Sequence, residues 1–360
     1  MTAALEAGTR HDEDLVGRIL VRAREDVLAE LERVFERRRR TGYGPLYDLL
    51  ADYPFREGKG LRPAICFAAC RAAGGRTDQA LLSATALELF HNAFLVHDDI
   101  EDGSQFRRGR VTLFEEHGAP IAINVGDATN VLAMEILLAN TEAIGVRKAL
   151  LVFREVERMA RESSEGQAIE LGWIRSGRFD LGDRDYVRMA YKKTCWYTVI
   201  APLRIGVLCG GRPGPLAPLD EQLLPLVELG FNAGIAFQIH DDLLNLEAEE
   251  ALYGKETAGD LWEGKRTVML LHFMRTARGP TRARALRLLR TPRREKSAEE
   301  VGWLLEAMRK AGSLEHGRRL AYEYTEAALG CDEDALPFVA DGDDRRFLRE
   351  MLHYVRERAK

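Results

Sequence analysis

Apolar residues recur along this chain every three to four positions, the spacing of one helix face. Asp14 to Arg40 and Ala80 to Val96 are long runs of this kind, while alternation with a period of two is scarce. The pattern predicts an all-α fold. Breaks fall at Gly74-Gly75, at Gly210-Gly211-Arg212-Pro213-Gly214-Pro215 and at Gly279-Pro280. Residues 1–12 are expected to be a disordered N-terminus. Residues 13–40 read as an amphipathic helix closing on Arg37-Arg38-Arg39-Arg40, where the negative end of the helix dipole favours cations. The stretch from Arg282 to Arg294 reads as a surface helix and loop. No linker, low-complexity tract or simple repeat divides the chain, so 13–360 is expected to form a single helical domain.

Two acidic clusters interrupt this pattern. His97-Asp98-Asp99-Ile100-Glu101-Asp102 closes the apolar run Leu87–Val96, and His240-Asp241-Asp242-Leu243-Leu244-Asn245 closes Phe231–Ile239. On a helix Asp98 and Asp102 share a face, as do Asp241 and Asn245. One such cluster is an ordinary solvated face. Two in matching apolar settings imply something positive between them, because crowded carboxylates beside apolar residues are costly. Magnesium, which binds through a few carboxylates and substrate phosphates, fits that requirement.

Cations follow each cluster. Arg107 and Arg108 come after the first, and Lys255 and Lys265 after the second. Guanidinium groups suit phosphate oxygens, although arginines that only neutralise aspartates would look the same. Upstream, Gly58-Lys59-Gly60-Leu61-Arg62-Pro63 lacks the pattern of a P-loop, but Lys59 and Arg62 beside glycines suit an anion. His91 adds a donor six residues before Asp98.

The segments GKGLRP, LFHNAFLVHDDIEDGSQFRRG, PIAINVGD, EGQAIELGW, KKTCWYTVIAPLRIG, FQIHDDLLNL and GDLWEGKRT lie in this order between about 58 and 272. In them the chain resembles the trans-isoprenyl diphosphate synthases of the polyprenyl synthetase family. The resemblance implies helices around a deep central cavity, commonly as a homodimer. It implies magnesium, three ions per active site, with Asp98, Asp102 and Asp241 as direct ligands and Asp99 and Asp242 as auxiliary carboxylates. By motif match Arg107, Lys193 and Lys255 bind an allylic diphosphate, and Lys59, Arg62, His91 and Arg108 bind isopentenyl diphosphate. Lys265 joins the diphosphate-binding set. Thr194 and Gln238 match positions beside the reacting carbons. Asn245 stands where many members carry aspartate, which removes one charge from the second cluster.

In that family product length depends on what lies below the first cluster. Phe94 is one helical turn before Asp98, on nearly the same face, and would obstruct a growing tail. Ala93 is small where fifteen-carbon producers often carry an aromatic. Phe90 and Leu89 are expected to line the same apolar pocket. The reading favours geranylgeranyl diphosphate, with farnesyl diphosphate as the alternative. A class I terpene cyclase needs no second anion site, and a non-catalytic partner subunit would be expected to lose acidic residues.

Composition narrows the class. A 46% hydrophobic, 30% charged chain of 360 residues suits a large soluble core. A net charge of −5 disfavours nucleic acid. No membrane span is expected, nor a signal peptide in Met1 to Asp14. Five cysteines without metal-like spacing suit a reducing cytoplasm. The helix expected over Ile121 to Leu138 has an extra apolar face compatible with a subunit interface.

Overall fold

A computed structural model describes residues 2–211, 221, 223–247, 258–335 and 342–357. They form helices α1 (Thr2–Thr41), α2 (Gly44–Phe55), α3 (Leu61–Ala72), α4 (Thr77–Asp102), α5 (Leu113–His117), α6 (Ala119–Ala143), α7 (Val146–Arg175), α8 (Asp183–Ala190) and α9 (Ala201–Gly210). There follow α10 (Leu224–Glu247), α11 (Gly259–Glu263), α12 (Val268–Thr276), α13 (Gly279–Arg290), α14 (Ala298–Lys310), α15 (Ser313–Ala335) and α16 (Asp343–Glu357). Helix α1 starts at Thr2. Its Ala3-Ala4-Leu5-Glu6-Ala7 run is rich in strong helix formers.

Helix α4 is central. It packs along α6 and against α3 and α9, while α10 packs along α15. Leu87, Leu89 and Ala93 of α4 and Ile235 and Ile239 of α10 are sealed in the core. Gly103, with φ +63°, ends α4 in the left-handed conformation immediately after the first acidic cluster.

Between α8 and α9 the helix widens to a π-helix over Tyr191–Ile200. Such wide turns concentrate at functional sites. Glycines allow its neighbours to approach: a Cβ at Gly166 would lie 2.2 Å from the Lys193 nitrogen, and one at Gly234 2.6 Å from Cys195 Sγ.

Two features depart from expectation. A short antiparallel hairpin, β1 (Phe106–Arg107) with β2 (Arg110–Val111), follows the first cluster. Its turn has positive φ at both Arg108 (54°) and Gly109 (70°), which suits a tight two-residue hairpin. Helix α6 is, by length and composition, apolar enough to cross a membrane, with mean hydropathy 1.4. Its two apolar faces raise that value: one packs on α4, and the other exposes Val131, Met134 and Leu138.

Candidate active site

The C-terminal end of α4 and the second cluster on α10 open into one cavity of about 660 Å³, a size usual for small-molecule sites. Asp98 and Asp241 both line it, with Arg107, Lys193 and Lys265 among them.

Within each Asp-Asp pair the second carboxylate is anchored by a tyrosine; Asp99 lies behind the cavity wall, whereas Asp242 lines the cavity beside Asp241. Asp99 is fully buried and accepts from the Tyr53 hydroxyl (2.6 Å) and from Arg107 Nε (3.0 Å) and Nη2 (2.5 Å). Asp242 is buried and accepts from the Tyr186 hydroxyl (2.8 Å) and Gln238 Nε2 (2.7 Å). Burial pushes the Asp242 carboxyl up to about 7, against the pull of those two hydrogen bonds. The Thr194 hydroxyl donates to Gln238 Oε1 (2.6 Å), so its own lone pairs remain for the cavity.

The first carboxylates are held by cations. Asp98 lies 3.4 Å from both Arg107 Nη2 and Lys193 Nζ. Lys193 also reaches buried Glu170 at 2.5 Å. Burial opposes charge on Lys193, but Glu170 and Asp98 raise its pKa above that of an ordinary lysine. Asp102 pairs with Lys265 Nζ at 2.6 Å, and that lysine meets Glu263 at 2.9 Å. Burial pushes Asp102 up to about 8 despite Lys265. Asp102 is not among the residues that line the cavity.

That donor set fits a hard divalent cation. Among the described residues no three His, Cys, Asp or Glu side chains stand close enough to hold one unaided. Magnesium seldom uses such an all-protein cage and completes its shell with water and substrate oxygens.

A second cationic group lies on the same cavity. Arg62 and His91 line it. Arg62 Nε and His91 Nδ1 are buried without a partner in the protein. Arg62 stacks 4.5 Å over the Tyr197 ring, and His91 lies parallel to that ring with centroids 5.8 Å apart. Burial, and then Arg62, Arg108 and Arg107, hold His91 well below the usual histidine range, so it is neutral. Arg108 Nη1 donates to the Tyr53 carbonyl (3.2 Å), with its guanidinium against Gly58. Lys59 is exposed, 6.0 Å from the Tyr354 ring centre, and is not part of the cavity wall.

Other expectations change. Phe94 lines the cavity and meets Tyr197 edge-on at 5.8 Å. Phe90, Leu89 and Ala93 are buried in the helix packing and do not line it, because α4 turns that face toward its neighbours. Asn245 does not share the cavity with Asp241. It is buried, and its Oδ1 accepts from the Asp260 amide at 3.0 Å, tethering α11. The tether brings Asp260, a carboxylate not anticipated from sequence, into the cavity wall. Lys255 lies outside the described residues. The sequence reading also missed Tyr53, Tyr186, Glu170 and Tyr197. It missed Arg56 as well, whose Nη atoms donate to the Arg107 (3.0 Å) and Val111 (2.8 Å) carbonyls and brace the hairpin.

Comparison with known proteins agrees with this geometry. A short chain isoprenyl diphosphate synthase from Methanothermobacter thermautotrophicus is 31% identical over 301 residues, 84% of this chain and 86% of that protein. Octaprenyl diphosphate synthase from Escherichia coli is also 31% identical over 301 residues, again 84% and 86% of the two chains. The crystal structure of geranylgeranyl pyrophosphate synthetase from Pyrococcus horikoshii superposes with a TM-score of 0.78 at 28% identity, covering 96% of this chain and 98% of that one. The family model described as polyprenyl synthetase matches residues 45–308, and the chain belongs to that family of prenyltransferases.

Proposed function

We propose that this protein condenses isopentenyl diphosphate head to tail with an allylic diphosphate to give a short all-trans prenyl diphosphate, with geranylgeranyl diphosphate as the main product. One observation carries the reading: two acidic clusters from separate helices share a cavity that also holds a second, independent group of donors, the Arg62 guanidinium beside His91. A cyclase needs only the first of these sites. The relatives' names span more than one product length, so twenty carbons rests on the sequence reading of Ala93 and on Phe94, the one of the two that lines the cavity, with farnesyl diphosphate as the alternative.

Asp98, Asp102 and Asp241 would hold magnesium, three ions by family resemblance, with Asp99 and Asp242 behind them. When bound, the metal adds positive charge at the diphosphate oxygens as the carbon–oxygen bond breaks. Arg107, Lys193 and Lys265 face the same oxygens and stabilise the charge that develops there. Lys255 is assigned to that diphosphate by its motif alone. Arg62 and neutral His91, each with an unmet polar atom, take the diphosphate of isopentenyl diphosphate; Lys59 and Arg108 are assigned to it by their motif alone. The Thr194 oxygen and the Gln238 amide present dipoles to the cationic carbons. Holding the two substrates together supplies a large part of the acceleration.

The exposed Val131, Met134 and Leu138 of α6, with Val146, Leu150 and Phe153 of α7, form an apolar surface that suits a homodimer. The four buried thiols suit a reducing cytoplasm.

Pyrophosphate release tests the reaction class. The account expects release that needs magnesium and both substrates. Release from the allylic diphosphate alone would favour a cyclase.

A further inference from the structure

The hairpin that carries Arg107 pairs only Phe106 with Val111 and Arg107 with Arg110. A ladder that short does not hold itself in place. The aim of Arg107, which lines the cavity, therefore depends on bonds from outside the hairpin.

One buried side chain supplies such bonds to both strands. Arg56, 3% exposed at the end of α2, donates from Nη1 to the Arg107 carbonyl (3.0 Å) and from Nη2 to the Val111 carbonyl (2.8 Å). Its own place is fixed on several sides. Asp52, one turn earlier on α2, accepts from Nε (2.9 Å) and Nη2 (2.5 Å), and it also pairs with Arg110 at 3.0 Å. The guanidinium lies 4.4 Å over the Tyr53 ring, and Arg24 Nη2 donates to the Arg56 carbonyl at 3.3 Å. Arg107 is thus gripped at both ends, its guanidinium by Asp99 and its main chain by Arg56. Released at the main chain, it would pivot about Asp99, and its approach to Asp98 at 3.4 Å would change.

We infer, on the synthase reading above, that Arg56 is a positioning residue that aims Arg107 at the allylic diphosphate by fixing its main chain. Arg56 does not line the cavity itself. A guanidinium is a rigid fork of five donors, so one group holds carbonyls on two strands and a carboxylate at set separations. Lysine keeps the charge but has a single nitrogen on a flexible stem and cannot span them.

The test is a double-mutant cycle between Arg56→Lys and Arg107→Lys. Elongation is measured with magnesium and both substrates saturating, and kcat is expressed per folded molecule from denaturant titration, so lost stability does not count. Arg56→Lys alone is expected to lower kcat by about 10²-fold, the cost of misplacing a group by about 1 Å. With lysine already at position 107 there is no fork to aim, and the same substitution is expected to cost less than about threefold. Asp52→Asn loosens the hold on Arg56 and leaves its guanidinium in place. It is expected to lower kcat by about tenfold, again suppressed in the Arg107→Lys background, and it decides the matter should Arg56→Lys fail to fold. An unchanged kcat per folded molecule in Arg56→Lys would assign the residue to stability alone. Losses that multiply in the double variant would make its role independent of Arg107. Either result overturns the inference. If the unaltered protein elongates no starter, the synthase reading fails and this inference falls with it. If it elongates normally while the cycle is additive, only this inference fails.

Discussion

The Tyr53 hydroxyl donates to Asp99 Oδ2 across 2.6 Å, 46 residues away in sequence, and the carboxylate has no exposed surface. Tyr186 does the same for Asp242 at 2.8 Å. In each acidic pair a tyrosine thus anchors the second carboxylate, Asp99 behind the cavity wall and Asp242 in it.

Replacing that anchor isolates its contribution. Tyr53→Phe keeps the ring and removes one donor from a buried carboxylate, which should cost about 1–3 kcal/mol of stability. Denaturant titration measures the loss. Magnesium dependence of activity should weaken in parallel, by about 10- to 100-fold, as when the support of a metal ligand is removed. Tyr186→Phe should behave alike at the second cluster.

Lys193 Nζ pairs with both Asp98 and Glu170. Lys193→Ala should lower kcat by about 10²–10³ through lost stabilisation of the departing diphosphate. Steady-state kinetics at saturating substrate decides this. A change confined to KM would make Lys193 a binding residue only.

Phe94 meets Tyr197 edge-on inside the cavity. Phe94→Ala opens the path beneath Asp98 and should lengthen the product. Mass spectrometry of the prenyl chains provides the check, and an unchanged distribution would remove Phe94 from the ruler.

Lys296 makes a prediction about pH. Its ammonium caps α11 by donating to the carbonyls of Leu261 (3.0 Å) and Trp262 (2.5 Å). Burial, then Arg293 and Arg266, hold it down to about 8, against 10.5 when unperturbed. Between these values the unfolded chain binds more protons than the folded one, so this group makes stability rise with pH over about 8 to 10.5. Unfolding free energies across that window should show the rise in the unaltered protein, and a smaller slope in Lys296→Met.

The all-helical class and both acidic clusters are legible in the sequence, because helical periodicity and the i, i+4 spacing are local signals. The hairpin is not, since strands of two residues carry no period and only Arg108-Gly109 hints at a turn. Tyr53, Tyr186 and Glu170 read as ordinary helical residues, and their meaning depends on partners 23 to 56 positions away. Asn245 shows the limit of spacing: it lies one turn from Asp241, yet α11 draws its amide out of the cavity.

The central claim, condensation of two diphosphates in one cavity, is tested most directly by the product. Purified protein is incubated with magnesium, isopentenyl diphosphate and, separately, dimethylallyl, geranyl and farnesyl diphosphate. Mass spectrometry follows before and after phosphatase treatment. The account predicts linear all-trans chains ending at twenty carbons. Cyclic hydrocarbon, or no elongation from any starter, would contradict it.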